Sequence, residues 1–294
     1  SFYKLAMDSA RREQDGITPV MHLIKQLEAA KTKDQLFAIQ MEMAPYGEQE
    51  FFSAYIGADE KNATENILNI SQSGLTLGQK DYYVENDEAT AKIREAYKKH
   101  IVRMFQLFGF KKGAAEKKMK NIMKVETELA KASKSRTELR DPIANYNKMT
   151  LKEFDGQYPH FQLERQMNAK GIKSQYIQEM VVGQPAFMEA ADKLFATMSA
   201  AEYRDMMEWG IIDGSTGYLN DAVREANFDF YGKVFSGKKE DHPMWRRATN
   251  QVQGVMGEAL GRIYVKKYFP ASSKERMKTL VENLRVALGE RIDD

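Results

Sequence analysis

The stretch "SGLTLGQKDYYV", residues 73–84, interrupts a chain that otherwise reads as amphipathic helix. Gly74 and Gly78 lie four apart, and Lys80-Asp81 and the adjacent Tyr82 and Tyr83 follow. Neither helical nor strand periodicity accommodates this pattern, so it reads as a turn. The glycines give the backbone freedom to turn, and Asp81 or Asp87 caps the next helix. The tyrosines are expected to pack with their hydroxyls on polar partners. Upstream, "EFFSAYIG" and "NILNIS" flank "ADEKNATE". Phe52, Ala54 and Ile56 alternate, as do Leu68 and Ile70, which predicts a small antiparallel hairpin with a long polar connection.

Downstream, residues 89–108 place Ile93, Tyr97, Ile101, Phe105 and Phe108 on one helical face, with Gly109 as a stop. A helix over 114–133 follows. Near the start, Thr18-Pro19 opens a helix whose apolar face is Val20, Leu23, Ile24 and Leu27. Four capping boxes each open a helix: Thr32 with Gln35, Thr150 with Glu153, Ser199 with Glu202, and Ser272 with Glu275. The last helix, over 273–292, gathers Met277, Leu280, Val281, Leu284, Leu288 and Ile292 on one side. Residues 235–243, "FSGKKEDHP", read as an exposed loop. The fold class is therefore mainly α with a small antiparallel β-hairpin.

The 294 residues suffice for one large domain or two ordinary ones. With 43% hydrophobic and 29% charged residues, the composition is that of a folded chain. A formal net charge of +2 offers no electrostatic footprint for nucleic acid. The basic run "KKGAAEKKMK", residues 111–120, lacks interleaved aromatics and reads as a helix start with a solvated face. No apolar run reaches membrane-spanning length. The chain opens Ser-Phe without a visible signal peptide, so it is expected to be a processed or trimmed piece. The absence of cysteine excludes disulfides, thiolate metal sites and cysteine nucleophiles. Asn62 and Asn69 head formal glycosylation sequons.

No self-contained active site is visible. His22, His100, His160 and His242 are scattered, and H-E-x-x-H is absent. His22 and His100 read as helix-surface or core-edge residues, and His160 and His242 as loop residues. There is no G-x-S-x-G elbow, Walker loop or dinucleotide fingerprint. Glu126 with Glu128, Glu202 with Asp205, and Glu240 with Asp241 are assigned to solvated faces. Catalytic, cofactor-binding and metal-ligating residues are accordingly expected to be none. Trp245 is expected to be a core anchor, with Arg246 or Arg247 paired to an internal carboxylate.

Five segments in register resemble the neprilysin and endothelin-converting-enzyme family of zinc metallopeptidases, and among these the bacterial oligopeptidase O type. They are Gly74, Leu75, Leu77, Lys80, Asp81, Tyr82 and Tyr83; Asp141-Pro142; Tyr146 through Thr150; Asn227 through Tyr231 with Gly237; and Trp245-Arg246-Arg247 with Gly257, Gly261, Tyr264 and Val265. The resemblance covers essentially the whole chain.

It implies a zinc endopeptidase acting on oligopeptides, in an extracytoplasmic, periplasmic or cell-envelope setting. The zinc ligands, in H-E-x-x-H and a distant E-x-x-x-D, would lie C-terminal to this chain. The arginines that bind the substrate carboxylate would lie upstream of Ser1. Residues 1–294 would then form the helical lobe that encloses the substrate chamber, as one closed unit without the catalytic zinc domain. Its partners would be that missing catalytic lobe and oligopeptide substrates, without nucleic acid and without a membrane span. The resemblance also implies that Ala6 and Ala248 occupy the positions of a bonded cysteine pair in vertebrate members, and so lie close together. The alternative is a stand-alone, non-catalytic peptide- or protein-binding module.

Overall fold

A computed structural model describes residues 1–46 and 51–293. In chain order the elements are α1 (Phe2–Met7), α2 (Ser9–Asp15), α3 (Thr18–Ala29), α4 (Lys33–Met43), β1 (Phe52–Asp59), β2 (Asn62–Gln72), α5 (Asp81–Val84), α6 (Glu88–Leu107), α7 (Lys112–Ala132), β3 (Asn147–Thr150), α8 (Leu151–Gln157), α9 (Leu163–Ala169), β4 (Glu179–Val182), α10 (Pro185–Thr197), α11 (Ala200–Ser215), α12 (Asp221–Asn227), α13 (Met244–Tyr268) and α14 (Ala271–Asp293). A π-helical turn, Phe228–Phe235, extends α12. The fold is mainly helical, as the sequence pattern predicts.

Local chemistry sets most boundaries. Thr32, Thr150 and Ser199 each close a reciprocal capping box with Gln35, Glu153 and Glu202. Ser272 does not, because α14 already begins at Ala271. Pro19 opens α3, but the cap position is Ile17 rather than Thr18. Asp87 caps α6, accepting from the amides of Ala89 and Thr90 at 3.0 Å each.

The hairpin is present with a tighter connection than expected. Only Glu60 and Lys61 separate β1 from β2, so most of the "ADEKNATE" stretch is strand. Two four-residue strands enlarge the expected hairpin into a mixed sheet of order β1-β2-β4-β3. β2 and β4 are parallel, with Leu68 opposite Met180, and β3 runs antiparallel to β4, with Lys148 opposite Val181. The buried tip residue Asp59 accepts from the Tyr146 hydroxyl at 2.8 Å, and the Lys61 ammonium lies 4.3 Å from the Tyr146 ring centre. These contacts attach the "YNKMT" segment to the hairpin tip.

By their contacts the residues form two compact units: Ala10–Asp241, and Ser1–Ser9 with His242–Asp294. The larger unit holds the core, centred on Trp209, Tyr97, Phe105, Tyr203, Phe154 and Phe187, all essentially buried. In the smaller unit α1, which carries Ala6, packs on α13, where Ala248 is the buried residue. Trp245 is not a core anchor. It is 57% exposed at the start of α13, one turn before the buried Ala248. Arg247 donates through Nη1 to the His242 carbonyl at 3.0 Å.

Candidate functional site

The turn at residues 73–84 closes around Glu126 of α7. Gly74 and Gly78 adopt φ of +87° and +74°, which side-chain-bearing residues rarely do. Their turn brings the Thr76 hydroxyl to Glu126 Oε1 at 2.5 Å and the Tyr83 hydroxyl to Oε2 at 3.0 Å. From α6, the Tyr97 hydroxyl donates to the same carboxylate at 3.0 Å. Each phenol oxygen also accepts from an N–H. The Leu77 amide donates to Tyr83 and the Trp209 indole to Tyr97, at 3.0 and 2.9 Å. These N–H donors leave the hydroxyl protons free to point at Glu126, which is fully buried. Burial nevertheless pushes its carboxyl up to about 7, against the three hydroxyl bonds. Tyr82 packs on Phe235 of the π-helical turn, with ring centres 5.1 Å apart.

Glu126 does not lie on the solvated face that its sequence context suggests, but inside the core. It stands four residues after Ile122 and three before Leu129, on the buried stripe of α7. Lys118 lies on the same stripe, so the basic run is not wholly solvated either. Its ammonium meets Asp205 at 2.9 Å, Glu208 at 2.6 Å and Glu28 at 3.0 Å, joining α7 to α11 and α3. Glu202 is also buried, closing its capping box and meeting Lys124 at 2.5 Å. Burial and the nearby Glu28 push Glu208 up to about 8, against the pull of Lys118. A helical-period count that included charged residues would have found these positions.

The histidines do not converge. His22 is exposed on α3, and His242 lies in the loop before α13. His160 Nδ1 is 2.7 Å from an Asp192 oxygen. His100 is not at a core edge but inside an aromatic box, 4.9 Å from the Phe230 ring and 5.7 Å from Trp209. Burial holds it down to about 4. Among the described residues no three His, Asp or Glu side chains gather as metal ligands. The donor set among the described residues does not fit a zinc site.

The smaller unit has the opposite character. On α13, Val255, Leu260, Ile263, Tyr264 and Val265 are 39–67% exposed. On α14 the predicted apolar side forms but stays open: Met277, Leu280, Val281, Leu284, Leu288 and Ile292 are 48–73% exposed. Exposed apolar side chains gathered in this way make a candidate contact site. It is the candidate functional surface of the chain. No helix among the described residues is long and apolar enough to cross a membrane.

The sequence pattern of Peptidase family M13 matches residues 1–294. The chain belongs to peptidase family M13. Human endothelin-converting enzyme 1 is 26% identical over 298 residues, covering 98% of this chain and 39% of that protein. Mouse neprilysin is 26% identical over 271 residues, covering 85% and 35%. The fold matches a zinc metalloprotease of Mycobacterium tuberculosis, solved in an open state, with TM-score 0.88 and 28% identity over 97% of this chain and 44% of that one. The chain therefore spans about two-fifths of the length of its family M13 relatives. Of the motifs read from sequence, the turn at 73–84 and the π-helical "NFDFYGKVF" meet in the core of the larger unit, whereas Trp245 and Gly257 through Val265 lie in the smaller one.

Proposed function

We propose that this chain is the helical lobe of a zinc-dependent metalloendopeptidase that hydrolyses oligopeptides in an extracytoplasmic setting. The match to family M13 over residues 1–294 carries the reading. In this reading the lobe acts as one closed unit that walls the substrate chamber and limits which peptides enter. The zinc ligands belong to a catalytic lobe outside these residues. The open apolar sides of α13 and α14 support the presence of such a partner, because burying them stabilises by about 25 cal/mol per Å² of apolar surface.

A stand-alone binding module is the competing reading. The coding sequence beyond Asp294 separates the two: an H-E-x-x-H segment supports the enzyme, and a stop codon supports the module. The longer protein is expected to hold one zinc and cleave oligopeptides, and residues 1–294 alone to do neither. About one tightly held zinc per chain of residues 1–294 after dialysis would contradict this assignment.

A further inference from the structure

Helix α13 is continuous from Met244 to Tyr268 except at Met256, whose φ of −127° and ψ of 23° are not helical. Met256 lies between Gly254 and Gly257, and helix kinks without proline concentrate at such glycines. A methyl group added at either glycine would meet nothing within 4 Å, so packing among the described residues does not demand their smallness. Each weakens the helix relative to alanine, and what it supplies in return is backbone freedom. The two arms of the helix are held differently. The arm before the kink carries Ala248, the buried residue of the helix on which α1 packs. The arm after it has its apolar side chains open to solvent, and a surface concavity lined by residues 253–259 marks the kink itself.

We infer that Met256 with Gly254 and Gly257 forms a pivot, about which the second arm of α13 swings relative to the arm held by α1. Resting on the proposed role as an enclosing lobe, the pivot serves the opening that admits a peptide. The family relative from Mycobacterium tuberculosis has been solved in an open state, and one of its structures is described as partially open. A pivot inside α13 lets the surface that contacts a partner move while α1 and the first arm stay fixed.

The cysteine-free chain permits a direct test. Spin labels on Asn250→Cys and Lys266→Cys flank the pivot on exposed positions. In a straight helix their Cα atoms would be about 24 Å apart, at 1.5 Å per residue. The parent is expected to give a broad distance distribution reaching well below the straight-helix value. Gly254→Ala with Gly257→Ala is expected to narrow it about twofold and lengthen it, while Gly261→Ala, beyond the kink, leaves it unchanged. A single narrow distance in the parent, unmoved by the double substitution, would overturn the pivot. In the longer protein the stiffened variant should lose about tenfold in peptide turnover at a melting temperature no lower than the parent's. Turnover equal to the parent's would overturn the role in admission. A parent that hydrolyses no peptide would count against the peptidase reading, and the distance measurement would still judge the pivot.

Discussion

Trp209 and Trp245 are the two tryptophans of the chain, one in each unit, and their surroundings are opposite. Trp209 is fully buried on α11, its indole donating to Tyr97 and its ring 6.0 Å from that of Tyr97. Trp245 is more than half exposed at the start of α13. The same contrast runs through the units that hold them. The larger buries even its charges, because Glu126 finds three hydroxyls and Lys118 finds three carboxylates. The smaller leaves leucines and valines in water. A unit that buries and pairs groups such as Glu126 and Lys118 has a core of its own. One that exposes the apolar side of two helices offers a candidate contact surface.

The largest expected effect separates the tryptophans. Trp209→Ala should cost about 3–5 kcal/mol in urea unfolding. Trp245→Ala should stay within about 0.5 kcal/mol of the parent. Equal losses would erase the contrast between the units.

The second prediction sharpens what lies inside the larger unit. Glu126 keeps its proton up to about 7 and Glu208 up to about 8 in the folded chain, against a usual carboxylate value of 4.5. The folded state then binds more protons than the unfolded one between these values. The stabilisation is complete below about pH 4.5 and is lost as pH rises through 7 and 8. His100, held near 4 against a usual 6.5, works in the opposite direction below about pH 6.5, so the cleanest window lies above it. Stability should fall by about 2–3 kcal/mol between about pH 6.5 and 8.5. Glu208→Gln should remove most of that slope and Glu126→Gln a smaller part. A parent with flat stability across the window would mean that both carboxyls are ionised throughout.

The smallest effect is expected at the hairpin tip. Tyr146→Phe deletes the hydroxyl bond to Asp59 and should cost about 0.5–1.5 kcal/mol. No change would mean that the tip is held by the sheet alone.

Local signals were the legible ones. Capping boxes act over three residues, and three of four mark a helix start in the structure. Alternation over β1 and β2 predicted the hairpin, because pairing across a tight turn is nearly local. β3 and β4 escaped because each spans four residues, and β4 owes its place to a parallel pairing with β2 more than a hundred positions away. The carboxylates were misplaced for a related reason. Glu126 and Asp205 look solvated until their partners are known, and Tyr83 and Lys118 are 43 and 87 positions distant. Trp245 shows the converse: an aromatic in a helical pattern says that cover is needed, not where it comes from. The candidate surface was legible as the apolar side of the last helix, but its openness was not.

In the proposed function the apolar sides of α13 and α14 form a contact surface for the remainder of a family M13 peptidase. Thiol labelling of Leu284→Cys tests it most directly, since the chain has no other cysteine. The rate should be that of an exposed thiol in residues 1–294 alone. In the longer protein it should fall at least about a hundredfold relative to Tyr55→Cys, an exposed position on β1, because burial against a partner removes the side chain from solvent. Equal labelling of Leu284→Cys in both proteins would contradict the account.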